Sequence, residues 1–201
     1  MSRKINRGYK KGLPFRDYRK FIIICEGERE DDYFKEFNNI NRRIQIHVVE
    51  RDKGKSAVKY LLNRAANYDE QYGIELEDFL WFVLDVDRWP KEQINELFQN
   101  CEQKQNWFIA ISNPCFEVWL HYHILKLIPA ELDSPAKLKN NLSKIIQGGY
   151  NVKKVYALIE NAILNSKAVD RNEDYYFPEI FVTKIYKLGE MMVAFLGNNW
   201  K

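Results

Sequence analysis

The stretch Phe21-Ile22-Ile23-Ile24-Cys25-Glu26-Gly27 decides how this chain folds. Five successive apolar residues leave no polar face, so the segment is a strand buried on both sides, not one with a wet surface. It closes on an acid and a glycine, and a helix is expected next. Tyr33, Phe34 and Phe37 fall at helical spacing from Arg29, and Glu28, Glu30, Asp31 and Asp32 suit the positive end of a helix dipole.

The same alternation continues outward. Ile44-Gln45-Ile46-His47-Val48-Val49 reads as a second strand, and Ala57, Tyr60, Leu61 and Ala65 mark a second helix. Phe79 to Val86, the most hydrophobic segment, is the third strand, followed by a helical stripe at Ile94, Leu97, Phe98 and Cys101. Trp107 to Ile111 is the fourth. Pro114 fits a helix start, and Phe116, Val118, Trp119, Leu120 and Ile124 make a largely buried helix. Strands alternating with helices, the strands nearly all apolar, predict an α/β fold on a mainly parallel four-stranded sheet flanked by helices.

After about Leu127 the strands disappear, and three helical stretches are expected: Pro135 to Ile146, Val152 to Leu164, and about Phe177 to Leu196. The reading divides the chain into a basic arm (1–20), an α/β domain (21–126) and a helical C-terminal region packed on it (127–201).

Composition sets the outer limits. The chain has 201 residues, 46% hydrophobic and 14% aromatic, which supplies enough apolar surface to offset the entropy of ordering. No apolar run approaches the roughly 18 to 20 residues of a membrane helix. The N-terminus is basic but has no apolar signal core, so a cytoplasmic protein is expected. Cys25, Cys101 and Cys115 show no CxxC spacing and read as core thiols.

Charge is unevenly placed. Residues 1–20 carry eight Lys or Arg against one acid, Asp17, while residues 21–201 carry 23 basic and 27 acidic side chains. An arm with Arg3, Lys4, Arg7, Lys10 and Lys11 interleaved with Tyr9, Phe15 and Tyr18 has the means to contact phosphates and stack on bases. It serves equally as a solubilising tail or as a neutralising partner for the acidic body.

In an open parallel sheet, ligands gather beyond the carboxyl ends of the strands. There the first strand delivers Glu26, the third Asp85-Val86-Asp87, and the fourth Ser112-Asn113 with Glu117 one helical turn on. If the backbone stays extended through Val86, both aspartates lie on one side. Carboxylates converging from neighbouring strands repel unless a cation lies between them. With few histidines and no thiol pattern, Mg²⁺ or Mn²⁺ suits this set better than zinc. Spacing alone leaves open both a metal site and a structural cluster of caps and solvated charges.

Ile23-Ile24-Cys25-Glu26-Gly27-Glu28, Leu84-Asp85-Val86-Asp87 and Ser112-Asn113-Pro114-Cys115-Phe116-Glu117-Val118-Trp119-Leu120 resemble the successive motifs of the RloB family. Phe181 to Leu188 resembles the family's C-terminal segment, and the basic arm its Arg-rich start. Arg29-Glu30-Asp31 stands where members more often have Lys-Thr-Glu. The resemblance implies a Toprim-like (Rossmann-like) fold and a bacterial restriction-linked or antiphage setting, with nucleic acid (RNA such as tRNA, or DNA) as substrate and a separate ATPase as regulatory partner. Glu26 matches the Toprim glutamate, and Asp85 and Asp87 the Asp-x-Asp pair. Glu117, Ser112 and Glu30 match later acidic, hydroxyl and glutamate positions.

What this implies is Mg²⁺- or Mn²⁺-assisted phosphodiester cleavage. Glu26, Asp85 and Asp87 are the expected metal ligands: Asp85 and Asp87 hold one ion, and Glu26 either bridges it to a second or acts as general base, with Glu117 in the catalytic set as the candidate to complete a second site and Lys184 or Lys187 neutralising developing charge. The alternative is a nucleic-acid-binding or partner subunit without independent catalysis. The helical C-terminal region is free to close over the site, contact a partner or form a homodimer.

Other signals carry less. Gly54-Lys55-Ser56 lacks the first glycine of a P-loop, though Lys53 and Lys55 have the charge to face a bound backbone. His121 and His123, two apart on a helix, diverge. His47 reads as a packed or edge residue and Asp78 as a solvated turn residue; Arg88-Trp89-Pro90 follows the acidic pair, where Trp89 has the ring to line the cleft and stack on a base, but it is read as a helix staple ahead of Pro90 in the first helical position.

Overall fold

The apolar run forms β1 (Arg19–Cys25), and its two side-chain parities enter different cores. The computed structural model describes residues 18–39, 43–50, 58–146 and 149–196. Arg3, Lys4, Arg7, Lys10 and Lys11, together with Lys53, Gly54, Lys55 and Ser56, lie outside the described residues.

β1 pairs in parallel with β2 (Ile44–Val48) on one side and β3 (Phe79–Asp85) on the other, and β3 pairs in parallel with β4 (Trp107–Ser112). The order β2-β1-β3-β4 is the all-parallel α/β sheet expected of a Rossmann-like or Toprim-like domain. The chain moves one way from β1 to β2 and then crosses to the far side of β1 for β3. The crevice at the carboxyl ends of β1 and β3 is therefore the topological switch point, where such sheets bind ligands.

Phe21, Ile23 and Cys25 pack with Tyr33, Phe34 and Phe37 around α1 (Glu28–Lys35) and the 3₁₀ turn Glu36–Asn39. Ile22 and Ile24 pack on the opposite face with Leu61 and Ala65 of α2 (Val58–Tyr72) and Ile94 and Leu97 of α3 (Lys91–Glu102). Burial on both faces explains why the strand has no polar alternation.

The helices that follow are α4 (Glu117–Tyr122), α5 (Pro135–Ile145), α6 (Val152–Tyr156), α7 (Ile159–Val169) and α8 (Ile185–Leu196). Leu138, Val155, Ile159, Leu188 and Met192 from this late region share one continuous core with Phe21, Ile23 and Trp119. Ser134 caps α5 through its hydroxyl, with Pro135 in the first turn, so this helix starts where its sequence signals place it. Among the described residues, no helix is long and apolar enough to cross a membrane.

Three expected elements differ. The helix expected over 152–164 is split into α6 and α7 at Leu158, whose backbone leaves helical geometry. The helix expected from Phe177 starts only at Ile185, because the preceding residues pair with the edge of the sheet. Asn113 N–H donates to Val182, Phe181 N–H to Asn113 and Lys184 N–H to Ile111, and Thr183 forms an antiparallel bridge with Ser112. Pro114 follows a cis peptide bond and precedes the helix, which begins at Glu117.

Asp78 is not a solvated turn residue: it is fully buried. The parallel pairing sets the start of β1 beside the start of β3, which brings Lys20 within 3.1 Å of the Asp78 carboxylate. Glu75 N–H donates to the same oxygen, Oδ2, at 3.0 Å, and Lys20 N–H to Oδ1 at 3.4 Å. Cys25, Cys101 and Cys115 are buried free thiols, as expected.

Candidate functional site

β1 ends at Cys25, and Gly27 caps α1 two residues later in extended conformation. A Cβ at Gly27 would run into the Glu30 carboxylate, so the absence of a side chain is what lets α1 begin this close to its own second glutamate. Glu26 is thereby left at the mouth of the crevice. From α2, the buried Arg64 guanidinium donates to the carbonyls of Cys25 (2.8 Å) and Val49 (2.5 Å), fixing the ends of β1 and β2 together.

β3 ends at Asp85, which is buried and aligned with Ser112 of β4. Extended geometry does not persist beyond it. Val86–Arg88 form a 3₁₀ turn, with Asp87 N–H held at 3.1 Å from the Pro114 carbonyl, so Asp87 leaves the shared face assumed from sequence and is exposed. The same turn carries Trp89 inward, and its indole N–H donates to the Glu26 carboxylate. Trp89 is a member of this site rather than a remote helix staple. Pro90 caps α3 instead of occupying its first helical position.

A cleft of about 540 Å³ opens here, lined by Glu26, Glu28, Glu30, Asp32, Asp85 and Glu117 with Arg29, Arg88, Lys139 and Tyr150. Its carboxylates affect one another. Burial pushes the Glu26 carboxyl up to about 8; Arg88 works against this, and Glu30 and Asp87 reinforce it. Burial also drives Asp85 far above the usual range, with Glu30, Glu26, Asp87 and Glu117 all adding to the shift. Glu30 is raised by burial, with Glu117 adding to it, and Asp87 is raised in the same sense against the opposing pull of Arg88. Such shifts occur where several carboxylates occupy one poorly solvated place and resist joint ionisation.

Glu117 starts α4 and receives the Arg29 guanidinium. The Nδ1–H of His121 donates to the Glu117 carbonyl at 2.7 Å, while its Nε2 lies 3.3 Å from the Asn141 amide. His123 points elsewhere, as its spacing predicts. Its Nδ1 lies 3.0 Å from the Trp119 carbonyl, which can only accept, so Nε2 accepts from the Tyr33 hydroxyl at 2.9 Å. Burial holds His123 neutral, with its pKa lowered to about 3. The Tyr33–His123 bond joins α1, which carries Arg29 and Glu30, to the end of the helix that carries Glu117.

Two expected residues are elsewhere. The Ser112 hydroxyl is buried 2.7 Å from the Thr183 hydroxyl, joining β4 to the returning chain. Lys184 is buried too, its ammonium 2.5 Å from Asp170 and 2.7 Å from the Asn172 carbonyl, so it is no surface charge reaching toward the cleft. The structure thus gathers Glu26, Glu30, Asp85 and Glu117, sets Asp87 at the rim, and removes Ser112 and Lys184. Trp89 joins the site on the turn that follows Asp85, while Arg64 and Tyr150 are additions that local patterns did not show, because each arrives from a distant segment.

Among the described residues no group of three or more acidic, histidine or cysteine side chains is placed to hold a metal ion. That donor set is unlike a structural zinc cage. Two carboxylates, those of Glu26 and Asp85, would suffice only for a hard cation that fills its remaining positions with water and phosphate oxygens.

A parallel α/β domain with an acidic crevice at its switch point is the class that the fold and the site define. The chain belongs to the RloB-like protein family, whose model matches residues 21–192 and so spans the sheet, the cleft and most of the late helices. No curated protein matches the chain, and no solved structure does.

Proposed function

We propose that this chain is a Mg²⁺- or Mn²⁺-dependent nuclease of the Toprim type that cleaves phosphodiester bonds in RNA or DNA. The observation that supports the reading is the convergence of Glu26 and Asp85, from adjacent strands, in one poorly solvated crevice where burial raises both carboxyls and Glu26 adds to the rise at Asp85. A solvated cap or a structural ion pair would not need two buried acids opposed in this way.

Glu26 and Asp85 would hold the ion, with Asp87 or Glu117 reached through water. When bound, the ion supplies Lewis-acid polarisation of a phosphoryl oxygen and a lowered pKa for water. The remaining work falls to the chain. Glu26 in its ionised form accepts a proton at a carboxylate oxygen from the attacking water, and the Trp89 N–H keeps that carboxylate oriented. Arg88, on the turn beside Asp87, already pulls the Glu26 carboxyl down and would offset the charge of a bound phosphate. The bacterial defence setting and a partner ATPase are suggested by the family resemblance.

The engagement of Glu117 by Arg29 favours a second reading, a binding or partner subunit whose acids are held by its own cations. Incubation of the protein with tRNA, single-stranded RNA and DNA in Mg²⁺ or Mn²⁺ separates the two. Cleavage abolished by Asp85→Asn with nucleic-acid binding intact supports the nuclease. Cleavage that survives the substitution removes this site from the chemistry.

A further inference from the structure

The Arg29 guanidinium lines the cleft beside Glu117. It projects from the second residue of α1, pairs with Glu117 through one nitrogen, and lies over the Tyr150 ring at 5.1 Å. Its side chain retains 27% exposure to the cleft. Arginine has five N–H donors in a planar fork, so one carboxylate oxygen leaves most of that capacity unused.

Tyr150 adds an independent sign of a missing ligand. It lines the same cleft, yet its hydroxyl is buried and makes no hydrogen bond. A buried hydroxyl left in this state is costly unless something else completes it. Lys139 of α5 lines the same cleft. The cleft therefore presents a guanidinium, an ammonium and an uncompleted hydroxyl alongside its carboxylates. The combination fits an anion with several acceptor oxygens.

We propose that Arg29 binds a backbone phosphate of the nucleic-acid strand, and that its pairing with Glu117 is the closed form of this subsite, exchanged for the phosphate when the strand enters. The proposal rests on the nuclease reading for its choice of ligand. The exchange costs little charge separation, because the guanidinium trades one anionic oxygen for another while keeping its place on the Tyr150 face. A phosphate also accepts two parallel N–H bonds, which the Glu117 pair does not use. Release of Glu117 next to Asp85, Glu30 and Asp87 then adds negative charge where a divalent cation binds, so strand and metal binding reinforce each other through this one contact.

The test is made without metal, so that it does not depend on cleavage. Binding of a labelled short single-stranded RNA, and of its DNA counterpart, is followed by fluorescence anisotropy in EDTA over a range of salt. Arg29→Gln is expected to weaken binding about tenfold and to reduce the slope of log affinity against log salt by about 0.7. Arg29→Lys, which keeps the charge but loses the fork, falls between. Glu117→Gln is expected to strengthen binding by releasing Arg29, and this gain should shrink in the Arg29→Gln background. Unchanged affinity in Arg29→Gln overturns the proposal, as does an equal gain from Glu117→Gln in both backgrounds, which would be simple loss of a negative charge. If the wild-type protein binds neither strand, the nuclease reading itself fails.

Discussion

The indole N–H of Trp89 donates to the carboxylate of Glu26, tying the turn after β3 to the end of β1 across the switch point of the sheet. Glu26 is mostly buried and repelled by Glu30 and Asp87, so a donor that favours its ionised form has a large effect there. Trp89→Phe removes the donor and keeps most of the apolar volume. Urea unfolding should show a loss of about 1 to 2 kcal/mol, and Mn²⁺ affinity at neutral pH should fall severalfold. An unchanged Mn²⁺ affinity would show that the bond does not orient the carboxylate.

The raised carboxyl of Glu26 sets a pH dependence of definite sign. Its folded pKa of about 8 lies above the ordinary 4.5, so the folded state prefers the protonated form. Its contribution to stability is complete below 4.5 and is lost as pH rises through 8, by an amount on the order of a few kcal/mol. Metal binding must expel that proton, so Mn²⁺ affinity should increase from pH 6 to 8 and level off above. Calorimetry in buffers of different ionisation enthalpy measures the proton release directly. A pH-independent affinity would contradict the assignment of Glu26 to the metal.

His123 predicts the opposite trend in acid. Its folded pKa is lowered to about 3 from 6.5, so its contribution to stability is present above 6.5 and is lost as pH falls toward 3. His123→Gln should cost about 1 to 3 kcal/mol at neutral pH by breaking the bond to Tyr33. It should also flatten the acid limb of the stability curve, measured by urea titration at several pH values. A variant with the wild-type acid limb would remove His123 as its cause.

How much was legible in sequence follows from which contacts are local. The run Phe21–Cys25 is apolar at both parities, and that alone specifies a strand covered on two faces. The acids placed after strand ends, Glu26 and Asp85, reach the crevice because a parallel sheet puts all carboxyl ends on one edge. Asp87 does not share that face, because the chain turns at Val86 and period-two reasoning stops where extended geometry stops. Asp78 looked solvated because its partner, Lys20, is 58 residues away in sequence. Arg64 and Tyr150 share that long-range origin. The return of Phe181 to Lys184 along β4 was hidden by an apolar pattern that passes equally well for the start of a helix.

Lys184 illustrates the same point with an energetic consequence. Its ammonium is 2.5 Å from Asp170, and both side chains are almost fully buried. Lys184→Met leaves a buried carboxylate without its cation and should destabilise the protein by about 3 to 5 kcal/mol, read in thermal or urea unfolding. Mn²⁺ affinity of the folded variant should match wild type. A selective loss of metal binding without loss of stability would return Lys184 to the active site.

The central claim is that Glu26 and Asp85 together create the metal site. The most direct measurement is Mn²⁺ calorimetry at pH 8 on the wild-type protein, Glu26→Gln and Asp85→Asn, alongside thermal unfolding with and without metal. The wild type should bind saturably and gain thermal stability from Mn²⁺. Both variants should lose binding, and Asp85→Asn should melt no lower than the metal-free wild type, since it removes a charge that its neighbours oppose. Wild-type-like Mn²⁺ binding in both variants would contradict the account.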